Sequence, residues 1–196
     1  MKITGTEDLR VQKTIETIRA VFEQMILDMD YHEMTVKELC DRAKINKKTF
    51  YRYYPTLDDL LAELQMDMSS EYIDIVSRYN LPEEIEKVNE AFFRYSASKG
   101  DAFEKITCAL SYSSIRNEMI QKVYNATWKK SAWFNNIPAW QQHLVMTLVN
   151  ACSLEMYIQW VADGKPVSVD ELIAVSSCLL CEGLDGFRNP KITIGK

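Results

Sequence analysis

The sequence predicts an all-α protein, and three observations carry that expectation. Apolar residues recur every three or four positions along most of the chain, the spacing of amphipathic helices. Helix-starting signals fall between these stripes, and no segment sustains a period of two. Six glycines and five prolines interrupt 196 residues, too few breaks for a many-stranded sheet.

Each element has its own signals. Val11, Ile15, Ile18, Phe22, Met25, Ile26 and Met29 form the stripe of a first helix. Thr35 and Glu38 have the spacing of a capping box, opening a short helix with Leu39 and Ala43 on its apolar side. Asn46 is placed to cap a second short helix, which Pro55 ends. Thr56 and Asp59 restart a longer helix carrying Leu57, Leu60, Leu61, Leu64 and Met68, expected to run to about Tyr79. Beyond Pro82, Ile85, Val88, Phe92 and Tyr95 make another stripe; Gly100 ends it, and Asp101 with Glu104 starts the next. Residues 112–137 read as helical with less definite breaks. Pro138 opens a long helix to Gly164, and Ser168 with Glu171 caps a last one ending near Gly183 or Gly186. The expected division is a three-helix module over 8–55 and a larger helical domain over 56–188.

Composition narrows the function. The net charge is −5, with 47% hydrophobic and 26% charged residues, the balance of a soluble folded protein. The first ten residues contain no apolar run of the kind that begins a secretory signal. The longest apolar stretch, 144–161, is broken by Asn150, Glu155 and Gln159, whereas a span needs about 20 mainly apolar residues. A cytoplasmic location is the expectation. The five cysteines are expected as free thiols. Cys178 and Cys181 form a C-x-x-C, but on a helical apolar run without a βαβ context, so packing is favoured over a thiol redox role. His32 and His143 have no partner at metal-ligand spacing, and no hydrolase, phosphate-loop or zinc-protease motif is present. No catalytic residue, metal or cofactor is therefore expected.

One segment departs from the acidic background. INKKTFYRYY, residues 45–54, holds three cations, four aromatic rings and no acid. Residues 35–54 have a net charge of +4, leaving −9 for the remainder. Two short helices with the second one cationic describe a helix-turn-helix, and a local cationic face attracts phosphates whatever the total charge. Helical spacing points Phe50 and Tyr54 inward with Leu39 and Ile45. Tyr51 and Tyr53 lie off that face, where phenolic hydroxyls can donate to phosphate oxygens.

The stretch TVKELCDRAKINKKTFYRYYPTLDDLLAEL resembles the DNA-binding domain of the TetR family of bacterial transcriptional regulators. The residues that carry the resemblance are Thr35, Leu39, Ala43, Ile45, Thr49, Phe50, Tyr51, Tyr53, Tyr54, Thr56 and Leu60. It implies a homodimer that binds a palindromic double-stranded operator, usually as a repressor. It implies base-edge roles for Asn46, Lys47, Lys48 and Arg52, and a base or phosphate role for Lys37. Thr35, Thr49, Tyr51 and Tyr53 would hold phosphates, with Thr35 also capping its helix. Two departures stand out. Lys44 occupies the usual turn glycine and is expected in a left-handed conformation, at about 1 kcal/mol, with a phosphate contact in return. Leu57 stands where the family has a lysine.

For the larger domain, the resemblance implies a dimer bundle of the last two helices. The long helix, apolar nearly all round, needs burial on two sides. The expected isologous contacts are Val145, Leu148, Leu154, Ile158, Ile173, Val175, Leu179 and Leu180. A small-molecule effector is a further expectation, with Tyr72, Phe93, Tyr112, Trp128, Glu155 and Met156 as candidate ligand residues. The alternative is a partner protein received by this domain in place of a small ligand. The helix from Thr56 is expected to act as a lever between the two domains.

Overall fold

The computed structural model describes residues 6–188, which leaves Met1–Gly5 of the N-terminal reading outside the described residues. Among the described residues there is no strand. Eleven α-helices follow one another: α1 Thr6–Asp28, α2 Val36–Ala43, α3 Lys47–Tyr53, α4 Leu57–Val76, α5 Ile85–Ser98, α6 Asp101–Cys108, α7 Ser113–Ala126, α8 Ala132–Asn136, α9 Ala139–Asn150, α10 Met156–Ala162 and α11 Val169–Arg188. Single 3-10 turns lie at Tyr31–Glu33, Leu110–Tyr112 and Trp128–Lys130. The chain divides into two compact units: residues up to Met68 together with Asp101–Met119, and Ser69–Gly100 together with residues from Ile120 onward.

The first unit forms around the stripe of α1. Ile18, Phe22, Met25 and Ile26 are fully buried against Leu39, Phe50, Leu60, Leu64, Ile106 and Tyr112. A buried side chain of this size stabilises by roughly 1.5–3 kcal/mol. α6 belongs here because it packs on α1 and because Lys105 closes the helix end. Its ammonium donates to the carbonyls of Leu27 at 3.1 Å and Met29 at 3.2 Å. A cation there offsets the negative end of the α1 dipole and satisfies carbonyls left without a helical partner. Gln65 is buried and donates to the Ile115 carbonyl at 3.1 Å, tying α4 to α7.

The second unit is built on α5 and α11. Val76, Ile85, Val88, Phe134, Val145, Cys152 and Leu180 form its core, with Trp128 packed 5.3 Å from Phe134 between ring centroids. The long helix that the sequence predicts from Pro138 runs over Ala139–Ala162, with one change of winding along it. Between α9 and α10, Ala151–Glu155 widen into a π-helical turn. Facing it, Asn89 of α5 is buried among three serines. Its amide nitrogen donates to Ser176 at 2.9 Å and Ser177 at 3.1 Å, and its oxygen accepts from Ser153 at 2.8 Å. Ser176 in turn donates to the Cys152 carbonyl, inside the π turn. A widened turn misdirects backbone groups, and the Ser176 hydroxyl satisfies one of them.

The last helix, expected to end near Gly183 or Gly186, runs to Arg188, two residues past the second of these. α11 passes through Gly183 without stopping there. A Cβ at Gly183 would lie 3.5 Å from Leu148 Cδ2, so this glycine sits at a helix contact with α9 rather than at a helix end. Gly164, expected to end the long helix from Pro138, follows α10 with a φ of +77°.

Candidate nucleic-acid interface

Caps fix the two short helices of the module. The Thr35 hydroxyl accepts from the Glu38 backbone N–H at 3.2 Å, and the Asn46 side-chain oxygen accepts from that of Thr49 at 2.8 Å. Each cap contributes about 1 kcal/mol to its helix. Glu38 does not complete a capping box; its carboxylate accepts from Arg42 at 2.9 Å instead. Lys44 ends α2 at φ 53°, ψ 40°, the left-handed conformation expected of a turn glycine. Its amide N–H reaches the carbonyls of Asp41 and Cys40, closing the turn into Ile45.

Tertiary packing then sorts the cations. Arg42 is consumed within the protein, pairing with Glu38 and with Asp28 at the end of α1. The hydrogen bond from Arg42, with a lesser one from Gln24, holds the Asp28 carboxyl below its usual range. Lys37, Lys44, Lys47, Lys48 and Arg52 are exposed, and none makes an ion pair with another described residue. Five uncommitted positive charges on one helix-turn-helix form a surface ready for phosphates and guanine edges.

The aromatic positions divide as helical spacing predicts, with one refinement. Phe50 and Tyr54 are buried, and the Tyr54 hydroxyl donates to Glu63 of α4 at 2.9 Å. Tyr51 is 53% exposed and packs edge-on against Phe50 at 5.5 Å. Tyr53 is half-buried and packed against the core. The Thr49 hydroxyl bonds the Asn46 side chain at 3.0 Å, so both residues shape the start of α3.

Residues 18–64 match the family model described as bacterial regulatory proteins, tetR family. The match covers the helix-turn-helix and the helices on either side of it, so this part of the chain is similar to the DNA-binding module of that family. Solved structures extend the likeness in fold over nearly the whole chain. The fatty acid degradation regulator FadR from Bacillus halodurans is 16% identical, with a TM-score of 0.63, covering 93% of this chain and 98% of its own. The transcriptional regulator FadR from Bacillus subtilis, solved in complex with stearoyl-CoA, is 18% identical with a TM-score of 0.61, over 84% and 95%. A TetR-like regulator from Rhodococcus sp. RHA1 is 18% identical with a TM-score of 0.58, over 89% and 95%. No curated protein sequence matches this one significantly.

Outside residues 18–64, the residues singled out from the sequence lie in different settings. Tyr112 belongs to the first unit, fully buried, with its ring 6.1 Å from that of Tyr31. Its hydroxyl has no hydrogen-bond partner among the described residues, and burial raises it to about 12. Tyr72, Phe93 and Trp128 belong to the second unit. Tyr72 stacks with Phe92 and Tyr95 at 6.0 and 5.5 Å, and Phe93 is fully buried. Met156 is half-buried, whereas Glu155 is exposed at the end of the π turn.

The dimer candidates divide in the same way. Val145, Leu154 and Leu180 are buried within this chain, so their side chains are already used. Leu148, Ile158 and Ile173 are half-buried. Val175 at 57% and Leu179 at 52% are exposed, as are Trp140 at 53% and Leu144 at 56%, two positions the sequence reading passed over. Ala139–Ala162 is, among the described residues, the one helical stretch long and apolar enough to cross a membrane, and 22% of its apolar window is buried. The thiols of the C-x-x-C are both raised: Cys178 by the hydrogen bond and charge of Glu182, Cys181 chiefly by burial. Raised thiols hold little thiolate, the form that redox exchange requires.

Proposed function

We propose that this chain is a cytoplasmic, non-enzymatic transcriptional repressor. As a homodimer it binds a palindromic operator, with residues 8–55 reading DNA and residues 56–188 serving regulation and assembly. The observation that carries the reading is the set Lys37, Lys44, Lys47, Lys48 and Arg52, exposed and unpaired on a capped helix-turn-helix. Lys47, Lys48 and Arg52 suit guanine O6 and N7, while Tyr51, Tyr53 and Lys44 suit phosphates.

One such module makes few base contacts, and a symmetric pair reading two half-sites supplies the rest. The exposed apolar side chains of Trp140 and Leu144 on α9 and of Val175 and Leu179 on α11 support a two-fold contact through these helices. Release from DNA would come from an effector bound in the regulatory part. That part of the reading is supported by a regulator of the same fold having been solved with stearoyl-CoA. The mutual packing of Tyr72, Phe92, Phe93, Tyr95 and Tyr157 favours a second reading for that interior, in which a partner protein is received at the surface instead.

The test is selection of genomic DNA fragments on the purified protein, followed by footprinting of the retained sites. A paired, inverted footprint is expected, lost in a Lys47→Ala, Lys48→Ala double variant. Unselective retention of fragments would overturn the operator reading. Sedimentation of a Leu179→Glu variant checks assembly; a monomeric wild type would sink the dimer.

A further inference from the structure

We propose that Asn46 is a specificity-determining residue whose side-chain amide can only donate, so that each half-site carries a G·C pair where it docks, with guanine the base contacted. This rests on the operator reading above and gives that operator a base at one position.

The amide is oriented from within the protein. Its oxygen accepts from the Thr49 backbone N–H at 2.8 Å. A backbone N–H bonds only an acceptor, so the oxygen, and not the nitrogen, faces α3. The Thr49 hydroxyl donates to the same oxygen at 3.0 Å. An amide oxygen has two lone pairs, and these bonds occupy both. The nitrogen keeps its two N–H groups on an exposed side chain, and no described residue accepts from either. Asn46 therefore meets a partner as a donor alone. The neighbouring ammonium groups of Lys47 and Lys48, also exposed, can likewise only donate.

That polarity selects among bases. In the major groove an asparagine pairs with adenine through both amide atoms, the nitrogen donating to N7 and the oxygen accepting from N6. Asn46 has no free oxygen for N6. Turning the amide round would set its N–H groups against that of Thr49 and give up the cap of α3. No other asparagine or glutamine lies between Thr35 and Tyr54 to read adenine in its place. Guanine presents two adjacent acceptors, O6 and N7, whereas thymine presents one beside a methyl group and cytosine presents a donor. A cluster of donors is matched by guanine. The bonds that cap the helix are thus the ones that set its preference.

The test uses the full-length protein and an operator recovered by genomic selection, with every base pair of a half-site replaced in turn. Asn46→Asp keeps an oxygen for Thr49, and so keeps the cap, but places a carboxylate oxygen where the amide donated. At one position the wild type should favour G·C over the other pairs by about tenfold or more, and the variant should lose that ratio. The added negative charge weakens binding to every sequence alike, so the ratio and not the affinity is the readout. An unchanged unfolding midpoint reports that the cap survives. Inosine at that guanine, which retains O6 and N7, should bind as guanine does. The proposal is overturned if the position that responds to Asn46→Asp is an A·T pair, if the variant keeps the wild-type base preference at every position, or if inosine there weakens binding about tenfold. Retention of DNA without sequence preference removes the operator reading together with this one. A selective operator whose preferences are the same in the variant removes this one alone.

Discussion

Around the helix-turn-helix, hydrogen-bonding side chains work at helix ends: Thr35 caps α2, Asn46 caps α3 and Thr56 accepts from Asp59 ahead of α4. In the second unit the strongest polar feature sits in mid-helix, where Asn89 joins α5 to α11 and to the π turn. The capping partners are three residues apart, whereas Asn89 and Ser176 are 87 apart. Local bonds set where helices begin, and they leave the cationic surface of α3 free for a partner. Long-range bonds set which helices pack together, and they leave little for anything outside.

Breaking each kind of bond should therefore have different consequences. Asn89→Ala removes the amide bonded to Ser153, Ser176 and Ser177, and leaves Ser176 with only the Cys152 carbonyl. Orphaned buried groups cost about 1–3 kcal/mol each, so a loss of about 3 kcal/mol or more is expected in urea unfolding. A change below about 0.5 kcal/mol would mean that the network is not holding the π turn.

Lys48→Ala removes no contact within the fold. Its expected effect is about 1–3 kcal/mol in operator affinity, with the unfolding midpoint unchanged. Equal loss on all DNA sequences would reassign Lys48 from base to phosphate contact. Asn46→Ala sharpens the comparison, because it should cost about 1 kcal/mol of stability through the lost cap. If its effect on operator affinity exceeds that on stability, Asn46 touches DNA as well.

Tyr112→Phe deletes a buried hydroxyl without a partner and should be neutral or stabilising by up to about 1 kcal/mol in thermal unfolding. A clear destabilisation would reveal a partner for that hydroxyl. The smallest effect belongs to Gly183→Ala. A methyl there meets Leu148 at ordinary contact distance, so the gain should approach the helix preference for alanine, about 0.5–1 kcal/mol.

The readings that succeeded from sequence share a short range. The stripe of α1, the caps at Thr35 and Asn46 and the left-handed Lys44 depend on residues within one or two turns of each other. The motif of the recognition helix is equally local, which is why the TetR resemblance was legible over residues 35–64 and agrees with the family match over 18–64. Aromatic side chains gave no such guidance. Tyr112 and Trp128 look alike as ligand candidates in sequence, yet they belong to different units, because a ring's neighbours are set by packing between distant helices.

The amino-acid sequence by itself determined that this protein is helical, where its short cationic helix begins and which residues could be charged on its surface. Periodicity, capping and formal charge are properties of neighbouring residues. Tertiary structure decided which charges remain free, since Arg42 meets Asp28 only when α1 and α2 pack together. It also decided that Val145 and Leu180 are core while Val175 and Leu179 face outward. Those outcomes depend on side chains brought together from distant parts of the chain, and no local spacing encodes them.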